Sequence, residues 1–164
     1  KEIDFTPKMV TFSYGPTVPD FVKNLGKDSE FVLAASEWAP NLPYKDPLFG
    51  TARQFNEDYF KKYGRYPDYV EAASAAGAYA MQIAIEKLGI TPPVKEEDRV
   101  RLMEELHKQN LMTFYGVVKF AMDGANEAHP PVVVQVQNGK LLNVFPKDAA
   151  EAAPWYPMKP WKER

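Results

Sequence analysis

The chain has 164 residues, of which 45% are hydrophobic and 26% charged, and its formal net charge is −2. This composition is ordinary for a globular chain of one domain or pieces of two, and the charge argues against a nucleic-acid-binding protein. The absence of cysteine excludes disulfides and thiolate chemistry. No apolar run approaches the roughly 20 residues that span a bilayer. We find no signal peptide in these residues and expect the chain to start within a domain.

The first third of the chain predicts a strand, a short helix and a second strand. Residues 8–13 form a β-rich run, which we interpret as a buried strand. Pro19 suits the first turn of a helix over 20–25, and Gly26 ends it. A second strand follows over 30–35. This order is typical of a parallel α/β sheet.

A segment rich in proline and aromatic residues, 36–47, then interrupts the regular structure. It contains three prolines, so we predict a structured loop or a crossing between domains. A helix is predicted over 46–63, with Asp46 as its N-cap and Pro47 at its first position. Its predicted buried face carries Leu48, Ala52, Phe55, Tyr59 and Phe60.

The segment 69–89 predicts a helix that organises the chain, with seven alanines and a stop at Gly89. We expect it to lie nearly buried against a sheet, because its small side chains allow close approach of another backbone. The predicted buried face carries Val70, Ala73, Gly77, Ala80, Ala84 and Leu88, and Ala72, Ala76, Tyr79 and Ile83 widen it.

A further amphipathic helix is predicted over 96–109, with Val100, Met103 and Leu106 facing inward. The adjacent acids Glu104 and Glu105 are interpreted as a solvated face, since neighbouring helical residues point apart.

Residues 113–122 are predicted to be extended, and Asp123-Gly124 to form a turn. Asn138-Gly139 is the preferred two-residue turn of a type I′ β-hairpin. This turn would pair Val136 with Leu141, and Val132 with Phe145. The aromatic residues after Pro146 are expected to lie against the body of the protein.

Motifs for catalysis or metal binding were not found. The chain has no P-loop, no G-x-G-x-x-G and no G-x-S-x-G. His107 and His129 are the only histidines, and neither has a neighbour at metal-ligand spacing. We therefore expect no enzyme, no cofactor and no metal site.

Three segments in order carry a resemblance to a known family: 9–40, 49–89 and 113–146. They resemble the C-terminal half of type I periplasmic binding proteins, and more narrowly the LivJ-like substrate-binding subunits of branched-chain amino acid ABC importers. The resemblance covers about residues 1–146. It implies three-layer α/β/α lobes, of which only the C-terminal part is present, ending in a β-hairpin.

The resemblance also implies an arrangement of the chain in two lobes joined by hinge crossings. The implied ranges are 1–36 and 130–146 for part of the second lobe, 37–129 for the returning part of the first lobe, 37–41 and 127–130 for the crossings, and 147–164 for a C-terminal tail. The N-terminal half of the fold would be absent.

Ligand in such proteins lies at the carboxyl ends of strands. The resemblance thereby implies a ligand-binding role for Ser13, Tyr14 and Gly15, which follow the first strand. Trp38 lies in a crossing and could stack on the ligand, or else only pack the hinge. Family members that bind amino acids commonly place an acid near this loop. The segment 13–17 has none, which favours a ligand without an amino group, such as an aromatic or other small carboxylate.

The implied function is that of the substrate-binding component of an ABC importer. It would capture a branched-chain or aromatic amino acid, or an aromatic acid, by hinge closure in the periplasm and present it to a membrane permease. The alternative is a ligand-sensing effector domain of a receptor or regulator with the same fold. We also expect this chain to self-associate through the helices 46–63 and 69–88, on a face carrying Phe55, Tyr59, Ala73, Gly77, Ala80 and Ala84.

Overall fold

The structure is a computed structural model that describes residues 2–3 and 5–164, with only the backbone of Pro19. The chain divides into two compact units, Lys1–Ala39 with Pro131–Arg164, and Pro40–Pro130. The helices are α1 (Pro19–Leu25), α2 (Ala52–Tyr63), α3 (Tyr69–Leu88) and α4 (Glu96–Lys108). The strands are β1 (Thr11–Phe12), β2 (Leu33–Ser36), β3 (Lys45–Asp46), β4 (Gly50–Thr51), β5 (Leu111–Met112), β6 (Val117–Val118), β7 (Val132–Gln137) and β8 (Lys140–Phe145).

The first unit is built on a four-stranded sheet with the order β1-β2-β7-β8. β1 and β2 are parallel, as predicted, and the other pairs are antiparallel. The prediction of a buried first strand over 8–13 was wrong in extent and in burial: β1 has two residues, and both are exposed. The physical reason is its position, because β1 lies at the edge of the sheet.

The β7–β8 hairpin confirms the predicted turn, since Asn138 and Gly139 have φ angles of 54° and 70°. Val136 pairs with Leu141, as predicted. The predicted pairing of Val132 with Phe145 was wrong by one residue. A register shift between Val133 and Val134 places Val133 opposite Phe145 instead. This shift is the effect of a β-bulge, which no local sequence signal indicated.

The C-terminal tail is attached to β7 by glutamine side chains. Gln135 Oε1 accepts a hydrogen bond from Trp155 N at 2.6 Å, and Gln135 Nε2 donates to Trp155 O at 2.9 Å. Gln137 Nε2 donates to Ala153 O at 2.9 Å. The Trp155 ring also packs on Phe31, with centroids 5.1 Å apart. These contacts confirm the expectation that aromatic residues of the tail lie against the body.

In the second unit, the carboxylate of Asp46 accepts hydrogen bonds from three backbone N–H groups. Asp46 is buried, and its Oδ1 accepts hydrogen bonds from Leu48 N and Phe49 N at 2.9 and 2.7 Å. Its Oδ2 accepts from Phe114 N at 2.7 Å, 68 residues away. Asp46 was therefore wrongly predicted as a helix cap: it closes a loop and ties this loop to the β5–β6 hairpin.

Helix α2 starts later than predicted because Thr51 is its N-cap, with Oγ1 accepting from Gln54 N at 3.1 Å. Of the predicted buried face, Ala52 and Phe55 are buried, whereas Leu48 and Phe60 are exposed. Leu48 lies outside the helix, so the helical spacing that included it did not apply.

Helix α3 has the predicted bounds, with Asp68 and Glu71 in a capping box and Gly89 in the left-handed conformation. Its buried stripe is Ala72, Ala76, Ala80 and Ala84. The predicted face was therefore centred wrongly: Val70 and Gly77 are exposed. When apolar residues occur on every face of a helix, their spacing does not determine which face is buried.

Helix α4 packs on α3 through a side that the pattern did not predict. Glu105 is only 7% exposed and forms an ion pair with Lys87 at 2.6 Å, so its interpretation as solvated was wrong. Gln109 Nε2 donates to Ala80 O at 2.9 Å. Val100 and Met103 were predicted to face inward but are exposed, because polar contacts to α3 set the orientation of the helix.

The segment predicted as extended over 113–122 instead contains the turn and the second strand of the β5–β6 hairpin, whose turn is closed by Thr113 Oγ1 donating to Gly116 O at 2.8 Å. The predicted turn at Asp123-Gly124 is present. Phe114 is fully buried and stacks on Phe55 with centroids 4.1 Å apart. In the described part of the chain, no helix combines the length and apolar content that crossing a bilayer requires.

Replacing Asp46 tests the organisation of the second unit. Asp46→Ala leaves three backbone N–H groups without their acceptor, so the free energy of unfolding should fall by about 3 kcal/mol. Urea denaturation measures this change. The control Asp58→Ala removes an exposed carboxylate paired with Lys61 and should change stability by less than about 0.5 kcal/mol. Equal effects of the two substitutions would contradict the role of Asp46.

Candidate functional site

The predicted ligand-binding segments follow two neighbouring strands of the first unit. Thr11 pairs with Leu33 and Phe12 with Ala34 in the parallel β1–β2 pair. Because parallel strands end at the same edge, the segment 13–15 after β1 and the segment 37–38 after β2 lie at one edge of this sheet. The start of β7 lies there too, since Val132 pairs with Ser36.

The loop after β1 is open to solvent. Ser13 is exposed and Tyr14 is 62% exposed. Gly15 has a φ of 109°, which a residue with a side chain rarely adopts, and its carbonyl accepts a hydrogen bond from Val18 N at 3.0 Å. Gly15 thus turns the chain from β1 towards α1. The Tyr14 side chain is exposed to solvent at this edge.

Trp38 lies in a different environment, only 4% exposed. Ser36 Oγ donates to Trp38 O at 2.9 Å and accepts from Trp38 N at 3.4 Å, which fixes the backbone directly after β2. A buried indole contributes to packing whether or not ligand is present. The binding role of Ser13, Tyr14, Gly15 and Trp38 stays a prediction, with Tyr14 the most accessible ring of the set.

One acidic residue at this edge, Glu37, is not among the predicted ligand contacts. Glu37 follows β2 directly and is exposed. The predicted ligand loop follows β1 and contains no acid, whereas the strand pairing places the end of β2 at the same edge. A signal for Glu37 existed in its position after a predicted strand.

A cavity of about 520 Å³ in the second unit was not predicted. Its walls include four aromatic residues, Phe49, Phe55, Tyr59 and Tyr63. The last three are spaced four apart on α2, and this spacing was visible in the sequence. The cavity is lined by apolar surface together with charged side chains of α2 and α3.

The charged groups beside this cavity form a network. Arg65 Nη2 donates to Glu71 Oε1 at 2.5 Å and to Tyr59 Oη at 3.0 Å. Glu71 Oε2 also accepts from Asp68 N at 3.0 Å. Burial opposes ionisation of the Glu71 carboxyl, but these hydrogen bonds outweigh it and lower the pKa of Glu71 to about 2. Glu71 is therefore a carboxylate at any physiological pH.

Metal-ligating side chains do not cluster in the part of the chain that is described. No group of three or more His, Cys, Asp or Glu side chains there could hold a metal ion. His129 stacks on Tyr115, with centroids 4.2 Å apart and planes 16° from parallel. This contact gives His129 a packing role.

Comparison with solved structures identifies the fold. The leucine-binding protein LivK of Thermotoga maritima matches over 87% of this chain and 37% of its own, at 23% identity and a TM-score of 0.67. A putative branched-chain amino acid ABC transporter from Silicibacter pomeroyi matches over 95% and 42%, at 17% identity and a TM-score of 0.76. An ABC transporter substrate-binding protein from Desulfitobacterium hafniense, in complex with Leu, matches over 76% and 38%, at 18% identity and a TM-score of 0.56.

These matches confirm the predicted fold class, that of type I periplasmic binding proteins. The chain spans about two fifths of the length of each of these neighbours, as expected for part of that fold. No protein-family model matches the sequence. At these sequence identities the similarity shows the fold alone.

The Glu71 network predicts a pH dependence of stability. The folded pKa of Glu71 is about 2, and an unperturbed glutamate titrates near about 4.3. Its contribution is therefore fully present above about pH 4.5 and is lost as the pH falls towards 2. Glu71→Gln keeps an acceptor for Asp68 N but loses the charge that binds Arg65.

We expect the difference in free energy of unfolding between the wild type and Glu71→Gln to shrink as the pH falls through this window. Chemical denaturation at a series of pH values measures it. The control Glu104→Gln, an exposed glutamate on α4, should show no such trend. A difference that stays constant with pH would show that the charge of Glu71 is not what stabilises the contact.

Proposed function

We propose that this chain is part of the substrate-binding component of an ABC importer, which captures a small carboxylate by hinge closure. The observation that carries the proposal is the shared edge of β1 and β2, where an exposed Tyr14 loop and the residues after β2 come together. Two of the structural neighbours are described with leucine, one by name and one in complex. A binding protein, not an enzyme, is the class that this fold supports.

In this proposal the two compact units belong to different lobes. The unit containing β1, β2 and the β7–β8 hairpin would be part of the second lobe, and the unit with α2, α3 and α4 the returning part of the first. The crossings would lie near 37–41 and 127–130. The working compartment would be the periplasm or the cell exterior, and the partner a membrane permease.

The proposed ligand is an aromatic or other small carboxylate. The alternative ligands are branched-chain or aromatic amino acids. The loop 13–17 has no acid to hold an ammonium group. Glu37, which follows β2, is an exposed acid at this edge. Whether the ligand carries an amino group therefore depends on whether Glu37 contacts it, and its substitution separates the two ligand classes.

Calorimetry on the full-length gene product tests this function, with leucine, phenylalanine, benzoate and phenylacetate as ligands. We expect binding of an aromatic acid, and Tyr14→Ala and Trp38→Ala should each weaken it by about 1–3 kcal/mol. Tyr156→Ala, an exposed tyrosine of the tail, is the control and should change nothing. The 164-residue chain alone should bind weakly or not at all, since enclosure makes small-molecule sites tight.

Three results would change the proposal. Tight binding by the 164-residue chain would show that one lobe wall is sufficient. An unchanged affinity with a lower melting temperature in Trp38→Ala would assign Trp38 to packing alone. Binding of leucine or phenylalanine that Glu37→Gln abolishes would replace the aromatic acid by an amino acid.

We also propose that the 164-residue chain self-associates through α2 and α3. The face named from the sequence needs correction, because Phe55, Ala80 and Ala84 are already buried within the second unit. The exposed apolar residues on or beside these helices are Phe60, Tyr63, Tyr66, Val70 and Met81. They are the surface whose burial would favour association.

Sedimentation at micromolar concentration tests self-association. We expect a dimer or larger species in the wild type and a shift towards monomer in Val70→Asp, because burying a new carboxylate is costly. Val94→Asp, at an exposed valine between α3 and α4, is the control and should leave the assembly unchanged. A monomeric wild type would show that these residues remain in contact with solvent.

A further inference from the structure

The tip of the β7–β8 hairpin is bound by a carboxylate from a distant part of the chain. Glu30 Oε2 accepts a hydrogen bond from Asn138 N at 2.9 Å, and Glu30 Oε1 accepts one from Gly139 N at 2.6 Å. Glu30 lies more than 100 residues away in sequence. Both oxygens of one carboxylate are therefore used by the two central residues of one turn.

Asn138-Gly139 is also the pair in this sequence with the greatest chemical lability. In an Asn-Gly pair, the glycine backbone nitrogen can attack the asparagine side-chain carbonyl carbon. A C–N bond forms, ammonia leaves, and the backbone nitrogen loses its proton, which gives a cyclic succinimide. Water then opens the ring to aspartate or isoaspartate. Each of the other six asparagines is followed by Leu, Glu or Val, which hinder the attack.

We propose that Asn138 is a deamidation site and that Glu30 suppresses its reaction in the folded protein. The attack requires Gly139 N to give up its proton. That proton lies in a short, charge-assisted hydrogen bond to Glu30. The negative charge of Glu30 also opposes the negative charge that develops on the nitrogen as the proton leaves.

The backbone of the turn adds a second restraint. Asn138 and Gly139 both have positive φ angles, as a type I′ turn requires. Two hydrogen bonds to one carboxylate hold both residues in this conformation. Rotation of the backbone towards the geometry of ring closure would break them.

Deamidation would in turn release the tip. The aspartate product carries a second negative charge on the residue whose backbone N–H binds Glu30, and like charges repel. The isoaspartate product routes the backbone through the side chain, so the two N–H groups can no longer lie as they do in the I′ turn. The reaction would therefore break the hydrogen bonds between the hairpin tip and Glu30.

Peptide mapping by mass spectrometry tests the proposal on the 164-residue chain during incubation in mildly alkaline buffer. Glu30→Ala removes both acceptors and the charge, and Glu30→Gln keeps one acceptor without the charge. We expect deamidation at Asn138 to be about tenfold faster in Glu30→Ala than in the wild type, with Glu30→Gln between them. Glu104→Gln is the matched control and should behave as the wild type.

Two further measurements keep the result interpretable. Circular dichroism establishes that each variant is folded, and Glu30→Gln carries the test if Glu30→Ala is not. In concentrated urea, wild type and variants should deamidate at the same rate, because the hydrogen bonds of Glu30 to Asn138 and Gly139 exist only in the folded chain. Equal rates of the folded wild type and the folded variants would overturn the proposal. Slower reaction in the variants would overturn it too, by showing that Glu30 promotes proton removal.

Discussion

The pairing of β2 on both sides is the constraint on which the first unit depends. On one side Leu33 N donates to Val10 O, and on the other the backbones of Val32 and Val136 are joined across about 100 residues. The parallel partner brings the residues after β1 and β2 to one edge of the sheet. The antiparallel partner fixes the hairpin and, through Gln135, the C-terminal tail. The proposed ligand edge exists only because these pairings hold.

Buried or half-buried polar side chains close the loops of both units. Asp46 accepts three backbone N–H groups in the second unit, and Gln135 binds both the N–H and the carbonyl of Trp155 in the first. Each replaces a backbone partner that regular structure would have supplied. Such groups are costly when left unsatisfied, so they define one arrangement of the loops. This explains how a chain with short strands still orders long connecting segments.

Local signals in the sequence predicted what local forces determine. The bounds of α3 follow from the Asp68 cap and Gly89, and the type I′ turn follows from Asn138-Gly139. The wrong predictions involve long-range contacts. Asp46 binds Phe114 instead of capping a helix, and Glu105 is buried and paired with Lys87. For the site, the loop carrying Tyr14 could be predicted from the end of a strand. Glu37 could not be linked to Tyr14 without the strand pairing, and the burial of Trp38 has no local signature.

Amide hydrogen exchange, followed by NMR on the 164-residue chain, tests the paired position of β2 most directly. The amide of Leu33 donates to Val10 O on the β1 side of β2, and the amide of Val136 donates to Val32 O on the β7 side. We expect both amides to exchange only through global unfolding, with protection equal to the free energy of unfolding measured in denaturant. Exchange of either amide at the rate of an exposed loop would contradict the paired position of β2, because the edge that carries Tyr14 would then have no fixed neighbour.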